Sequence, residues 1–196
     1  EVFPLLKVNK VWLGNNYKVN AGAMFFEIPE KIANLDQVRE IKTDESGKKV
    51  YVTRVQGVRW FTNLDHGRRH QPLPLMTKAE VIKFVTKKPF ERYDNYDAVE
   101  VSLVKNIPSD YSGIMGVPVS ILDKYSPEQF KIVGMCENLD LYKQKTKVYT
   151  SAECKQAYLD KFGKKGTYDL NASGVVTRNG LLEKVYQRVL IKHKKK

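Results

Sequence analysis

The 196-residue sequence has little of what a disulfide scaffold, a zinc site or a membrane span requires. Its two cysteines, Cys136 and Cys154, stand far apart, and the three histidines do not provide the paired spacing of zinc ligands. No apolar run approaches the ~18 residues of a membrane-spanning helix, and the opening residues do not resemble a secretion signal. We therefore expect a cytoplasmic protein with no metal site and no membrane contact.

Common catalytic signatures are also missing from the sequence. It contains no Walker loop, no Gly-x-Gly-x-x-Gly dinucleotide motif, no Gly-x-Ser-x-Gly nucleophile elbow and no His-Glu-x-x-His motif. Paired carboxylates for a magnesium-dependent nuclease are one alternative, with four candidates: Asp94, Asp97, Asp110 and Asp123. Their polar neighbours are more typical of turns, in which Asp side chains bond nearby backbone N–H groups. We favour the turn interpretation and predict no catalytic residue in this chain.

Positive charge is what the sequence has in excess. Lys and Arg number 34 against 22 Asp and Glu, which gives a formal net charge of +12. Such a surplus attracts a polyanion by releasing its counterions, so nucleic acid is the first candidate partner. Much surface charge is only solvated, and charge alone does not decide the matter. The 42% hydrophobic content is enough for a folded core.

Hydrophobic patterns in residues 1–63 predict a helix followed by strands. The buried stripe of that first helix is expected to be Leu5, Leu6, Val8 and Val11. Strands are predicted at residues 11–14, 23–28 and 49–63, with a bulge at Gly57 in the last and a loop at residues 43–49 around Gly47. Helix followed by strand is an α/β rhythm, which indicates the trailing edge of an α/β sheet.

Residues 64–72 are polar, basic and rich in turn formers, which predicts a module boundary. Beyond it, capping boxes predict two helices, at residues 77–85 and 150–162, and a helical turn at residues 126–129. Gly163 is the expected end of the second helix. Strands are predicted at residues 98–104, 175–177 and 185–191, the last two flanking a hairpin turn at Asn179-Gly180.

Aromatic residues interleave with basic ones in two places. Trp60 and Phe61 precede Arg68 and Arg69, and Tyr93 and Tyr96 follow Arg92. Aromatic rings can stack on an unstacked base while arginine holds a phosphate. The alternative is that Trp60 and Phe61 are ordinary strand residues on opposite faces. His70 is expected to be a surface residue rather than a ligand.

Three runs of sequence carry more information together than any residue alone. They are GVRWFTNLD at residues 57–65, YDNYDAVEV at 93–101 and IPSDYSGIMGVPVSILDKYSPEQF at 107–130. In this order and combination they resemble the EcoRI-type adenine-specific DNA methyltransferases. The opening EVFPLL and the closing RVLIKHKK also look like segments of that family, so the similarity covers nearly the whole chain.

The resemblance implies the C-terminal part of a DNA adenine-N6 methyltransferase of a restriction-modification system. In that family the methyl-donor loop and the Asn-Pro-Pro-aromatic motif lie upstream of the segment that corresponds to Glu1, and neither occurs in this sequence. The parent enzyme is then expected to use S-adenosylmethionine, and this chain without its N-terminal catalytic half is expected to bind double-stranded DNA but to transfer no methyl group. The alternatives are a stand-alone nucleic-acid-binding module and the magnesium-dependent nuclease.

The implied fold class is mixed α/β with two parts. Residues 1–65 are expected to be the edge of the catalytic, methyltransferase-like sheet, and residues 66–196 an irregular α+β target-recognition region. By analogy with the family, Trp60, Phe61, Thr62 and Asn63 are expected near the pocket for the target base. Five cations are predicted to contact DNA because each is expected in a loop from which a long side chain reaches a groove: Arg68, Arg69, Lys164, Lys165 and Arg178.

Glycine and proline in the third of these runs have a structural interpretation. Gly113, Gly116 and Pro118 are expected to shape a tight backbone path rather than to touch a ligand, since both residue types serve turns and close approaches first.

Overall fold

The computed structural model describes residues 2–14, 25–33, 38–54 and 60–194. Several small sheets and few helices confirm the mixed α/β class. The chain divides into two compact units, a smaller one, Leu13–Thr62, and a larger one made of Glu1–Trp12 and Asn63–Lys196. None of the helices in the described residues has the length and apolar character that crossing a membrane would need.

The helices and strands follow one another in a simple order along the described chain. They are α1 (Phe3–Lys7), β1 (Trp12–Leu13), β2 (Phe25–Pro29), β3 (Val38–Thr43), β4 (Lys49–Arg54), β5 (Phe61–Thr62), α2 (Lys78–Glu80), β6 (Ala98–Glu100), β7 (Ile114–Pro118), β8 (Phe130–Met135), α3 (Ser151–Phe162), β9 (Val175–Arg178), β10 (Leu181–Lys184) and β11 (Arg188–His193). After α2 the chain continues as a π-helical segment, Val81–Thr86.

The smaller unit contains an antiparallel sheet in the order β2, β4, β3. Its central strand carries the buried side chains Tyr51 and Val52, and the Tyr51 hydroxyl donates to Glu30 at 2.7 Å. The predicted loop around Gly47 is confirmed as a turn, in which Gly47 has a φ of +80°. The predicted strand at 23–28 begins in the described chain at Phe25, and the bulge predicted at Gly57 lies outside the described residues.

The predicted buried stripe of the first helix is wrong. Leu6 is buried, but Leu5 is 41% exposed and Val8 is 59% exposed. The reason is length, since α1 has five residues and ends at Lys7, so positions 8 and 11 lie beyond it. A helix this short cannot present a stripe that spans two turns.

The larger unit is built on a four-stranded sheet in the order β6, β7, β11, β8. Strands β6 and β7 are parallel, and β11 pairs antiparallel with both β7 and β8. The last strand of the chain therefore lies in the middle of the sheet. The core beneath it consists of side chains that are almost completely buried, including Val101, Met115, Val117, Ile132, Val189 and Ile191.

Local capping signals predicted the helices of the larger unit correctly. Thr77 with Glu80 and Thr150 with Glu153 form complete capping boxes at the starts of α2 and α3. Gly163 ends α3 with a φ of +66°, a left-handed conformation that favours glycine. The helical turn predicted at residues 126–129 is observed, since the Ser126 carbonyl accepts from the N–H groups of Gln129 and Phe130 at 3.2 and 3.0 Å. The Gln129 side chain bonds the Leu73 backbone and so does not complete the expected capping box.

Two strand predictions need correction. Strand β6 ends at Glu100, and the chain then turns, which leaves Leu103 49% exposed. The Asn179-Gly180 hairpin turn is confirmed, with both residues at positive φ, but the strand that pairs across it is β10 rather than residues 185–191. All four residues of β10 are half-buried. Its sequence therefore lacks the alternation of apolar and polar residues that predicts a strand.

Candidate nucleic-acid interface

Arg69 is an internal residue of the larger unit. It is 8% exposed, its guanidinium lies 3.5 Å from the centre of the Trp12 ring, and it donates to the Asn9 side chain. The prediction of a free loop cation is therefore wrong for Arg69. Trp12 and Asn9 come from the start of the chain, and nothing local in the sequence signals their contact with Arg69. Arg68, in the same 3-10 turn (Gly67–His70), is half-buried.

We call residues 65–73 the clamped segment. Two further contacts, made by His70 and Leu73, hold it to the rest of the larger unit. His70 contacts Asp65 through Nε2 at 2.8 Å and Glu128 through Nδ1 at 2.7 Å. These hydrogen bonds, first that with Asp65 and then that with Glu128, raise the pKa of His70 above its ordinary value. The Gln129 side chain bonds both the N–H and the C=O of Leu73. His70 is a surface residue, as predicted, and its role is to fasten this segment.

Arg178 is also paired instead of free. It is the last residue of β9, and its guanidinium donates to both oxygens of Glu91, at 2.8 and 2.6 Å, and to Glu183 at 3.1 Å. The bond to Glu91 is the main cause that raises the pKa of Arg178, and it lowers the pKa of Glu91 in turn. The predicted loop position is wrong, because hairpin pairing and two carboxylates fix this side chain.

Lys164 and Lys165 lie where the sequence predicted them, in an exposed loop after Gly163. Within the described chain, neither lysine forms an ion pair with a carboxylate. Lys161, one turn earlier on α3, is 3.3 Å from Glu183. The C-terminal end of α3 therefore presents uncompensated positive charge to solvent.

Next to this end of α3 lies a cleft of about 630 Å³ in the larger unit. We call it the basic cleft, because four cations and two carboxylates line it. The cations are Lys161, Arg178, Lys184 and Arg188, and the carboxylates are Glu100 and Glu183. Its aromatic lining includes Phe162, Tyr168 and Tyr186, of which Tyr186 is 86% exposed. Sequence reasoning missed this site except for Arg178, although the run Lys184 to Arg188 interleaves an aromatic residue with cations.

The four residues predicted near the base pocket are at the surface or close to it. In the smaller unit, Trp60 is 53% exposed and Phe61 is 41% exposed, and the Gly14 N–H donates to the Trp60 carbonyl at 2.9 Å. Thr62 is half-buried. Asn63, with which the second segment of the larger unit begins, is exposed. Exposed aromatic rings at Trp60 and Phe61 are compatible with base contact, and that role stays a prediction.

The second group of aromatic residues considered for stacking on a base is buried. Tyr93 is 6% exposed and Tyr96 is 2% exposed, so neither ring can reach a base. The Tyr93 hydroxyl donates to the buried carboxylate of Glu100, and the Glu137 N–H donates to the Tyr96 hydroxyl at 3.2 Å. Gly116 confirms the close approach expected of it, because a Cβ at this position would lie 2.1 Å from the Tyr93 hydroxyl.

The aspartates considered for a nuclease have other partners. Asp94 accepts from the Tyr149 hydroxyl at 2.6 Å and from Lys147 at 2.9 Å, and Asp110 accepts from the Lys78 backbone N–H at the start of α2. Asp97 pairs with Arg92. The Asp110 bond joins residues 32 positions apart, so it is a long-range contact and not the local side-chain-to-backbone bond that the turn interpretation expected. In the described ranges, no three His, Cys, Asp or Glu side chains are grouped to hold a metal ion.

Comparison with known proteins identifies one protein family. The profile described as adenine-specific methyltransferase EcoRI matches residues 1–194. The type II methyltransferase M.EcoRI of Escherichia coli is 38% identical over 140 residues, which are 71% of this chain and 40% of that protein. M.MpnI of Mycoplasma pneumoniae and M.MgeORF184P of Mycoplasma genitalium are each 34% identical, over 70% of this chain and 40% of their own length. The matched region thus spans about two fifths of these relatives, and no solved structure matches the chain.

Proposed function

Because the chain belongs to the EcoRI family of adenine-specific methyltransferases, we propose that it is the DNA-holding part of a restriction-modification DNA adenine-N6 methyltransferase. Double-stranded DNA is its proposed substrate. The methyl-donor loop and the Asn-Pro-Pro-aromatic motif are not in this sequence, so another segment must supply them. S-adenosylmethionine is the proposed methyl donor of the complete enzyme, and this chain's own residues bind and position DNA.

The observation that carries the proposal is the positive surface at the end of α3. Lys164 and Lys165 are exposed without carboxylate partners in the described chain, and the basic cleft adds Lys184, since its other three cations pair with Glu183, Glu91 and Glu100. Phosphates neutralised by such side chains release counterions, which supplies most of the affinity of non-specific DNA binding. Backbone contacts of this kind hold the protein in register while other groups read base edges.

We further propose that two parts of the chain have different roles. Residues 66–196 would form the target-recognition region, and residues 1–65 would form the edge of the catalytic domain, with Trp60, Phe61, Thr62 and Asn63 near the target base. The exposed rings of Trp60 and Phe61 support this assignment, because an exposed aromatic ring is available to an extrahelical base.

Methylation of duplex DNA tests this proposal. We expect the chain alone to bind a duplex without methylating it, and the chain joined to the catalytic segment of the family to transfer a labelled methyl group to an adenine of the duplex. Transfer only to RNA or to protein would overturn the proposal. DNA binding with no methylation by the joined protein would favour a stand-alone binding module, and magnesium-dependent cleavage by the chain would favour a nuclease.

A further inference from the structure

The basic cleft has the features of a pocket for one nucleotide. We propose that it takes a single unstacked base of a DNA strand, with Tyr186 as the stacking partner. This inference rests on the proposed DNA binding and adds a second base-holding site within the chain. A volume of about 630 Å³ lies inside the range of ~300–1,000 Å³ that is usual for small-ligand sites. The cleft therefore has room for one nucleotide and not for a duplex.

The charged pair of Glu100 and Arg188 lines the cleft although both residues are almost buried, at 4% and 7% exposed. Arg188 donates to Glu100 through Nη2 at 2.7 Å and through Nε at 3.1 Å, and Tyr93 donates to the same carboxylate. A buried pair of this kind adds little stability over well-packed apolar residues. Because its groups bond one another, it gives the cleft a fixed wall against which a base can lie.

A network of ion pairs fixes the neighbouring wall. Glu183 contacts Lys161 at 3.3 Å and Arg178 at 3.1 Å. The Tyr168 hydroxyl accepts from the Lys184 backbone N–H at 3.1 Å, and the Tyr168 ring packs against Phe162. The wall is thus rigid before any ligand arrives. A pocket that is already ordered loses less entropy on binding.

Tyr186 is the feature that points to a base rather than to another anion. Its side chain is 86% exposed, so an aromatic ring is held in water at the edge of the cleft. Its backbone is fixed, because the Ser173 hydroxyl donates to the Tyr186 carbonyl at 2.9 Å. Every base has a flat π-face that stacks on such a ring. A bare phosphate would gain nothing from it.

The charge of the cleft fits a nucleotide as well. Arg178 pairs with Glu91, Lys161 with Glu183 and Arg188 with Glu100, so Lys184 supplies the remaining positive charge, which suits a phosphate beside the base. An acidic peptide would also meet the cations. Its carboxylate side chains would present no flat ring to Tyr186, and this ring is the feature that favours a base.

The experiment compares two DNA duplexes that differ by one unpaired base. Equilibrium binding of the chain to a paired duplex and to the same duplex with one unpaired 2-aminopurine would be measured by anisotropy at fixed salt. We expect the duplex with the unpaired base to bind about tenfold tighter and its 2-aminopurine fluorescence to fall on binding, since one base–aromatic stack has roughly this effect on affinity.

Substitutions at Tyr186 locate the effect. Tyr186→Ala should abolish the preference for the unpaired base and leave binding to the paired duplex within about twofold, whereas Tyr186→Phe keeps the ring and should keep the preference. Phe84→Ala is the matched control, because Phe84 is an aromatic residue of the larger unit that is 62% exposed and does not line the basic cleft. It should change neither affinity.

Each outcome has a definite meaning. Equal binding of both duplexes by the unsubstituted chain, or a preference that persists in Tyr186→Ala, overturns the inference and leaves the proposed DNA binding standing. No binding to either duplex overturns both. Displacement of the unpaired-base duplex by an equal concentration of polyglutamate would show that the cleft takes acidic peptides, which also overturns the inference.

Discussion

The clamped segment and the basic cleft both contain cations, but the two regions use them in opposite ways. In the clamped segment, Arg69 is buried against Trp12 and His70 is held between Asp65 and Glu128. At the basic cleft, Lys184 lines an opening, and Lys164 and Lys165 lie in the exposed loop that follows α3. Positive charge in a sequence therefore indicates a binding surface only after internal pairing is taken into account.

The largest expected effect comes from the buried pair at the wall of the basic cleft. Arg188→Ala removes the partner of Glu100 and leaves a carboxylate buried without a countercharge. We expect the free energy of unfolding to fall by about 3–5 kcal/mol. Urea unfolding followed by tryptophan fluorescence measures this change.

The control for that variant is an exposed ion pair of the same unit. In the pair of Arg92 and Asp97 the side chains are 64% and 77% exposed. Arg92→Ala should change stability far less than Arg188→Ala, because exposed pairs are screened by water. A loss as large as that of Arg188→Ala would contradict the distinction between buried and exposed charge.

In the clamped segment, Arg69→Ala should lower the free energy of unfolding by about 2 kcal/mol, since it removes a buried stack on Trp12 and a hydrogen bond to Asn9. Its effect on the salt dependence of DNA binding should be negligible. Arg69→Lys keeps the charge but not the planar guanidinium, and it should also destabilise the protein. If Arg69→Ala instead flattened the salt dependence at unchanged stability, the segment would be part of the DNA surface.

At the end of α3, Lys164→Ala combined with Lys165→Ala should leave stability unchanged and reduce the slope of log affinity against log salt by about 1–2 units, because each phosphate contact contributes about 0.9. Titrations of a duplex at several salt concentrations give this slope. Lys48→Ala with Lys49→Ala is a matched control, an adjacent pair of exposed lysines in the smaller unit. Equal changes in slope from both pairs would mean that net charge alone matters.

The smallest expected effect is the pH dependence of the His70 contacts. The pKa of His70 is raised above its ordinary value of 6.5, by hydrogen bonds to Asp65 and then to Glu128. A raised pKa means that the folded state binds the proton more tightly, so the stabilisation is present below pH 6.5 and is lost as pH rises through the folded-state pKa. Melting temperatures between pH 5.5 and 8.5 should therefore decline more in the unsubstituted chain than in His70→Gln. Parallel declines would exclude a role for His70 in this pH range.

Local signals explain which parts of the fold were predictable from the sequence. The capping boxes at Thr77 and Thr150, the stop at Gly163 and the turn at Asn179-Gly180 each depend on residues within a few positions, and each is observed. Backbone geometry of this kind is encoded locally. These signals determine where helices and turns begin and end, but they do not determine which side chains pack against them.

The candidate site depended on contacts that the sequence does not display. Arg69 pairs with Asn9, Arg178 with Glu91 and Arg188 with Glu100, and each pair joins residues at least 60 positions apart. Expected loop positions led to the prediction that Arg69 and Arg178 contact DNA, whereas in the structure all three arginines are internal partners. The exposed loop position of Lys164 and Lys165 was predicted correctly, because no distant carboxylate in the described chain pairs with them, and their contact with DNA stays a prediction.

The central claim is that DNA contacts the end of α3 and the basic cleft rather than the clamped segment. Photo-crosslinking of the chain to a duplex that carries photoreactive bases, one of them unpaired, followed by mass spectrometry of the peptides, tests it directly. We predict crosslinks in peptides that contain Lys164, Lys165 or Tyr186. Crosslinks confined to residues 65–73, or none at a concentration that saturates binding, would contradict the account.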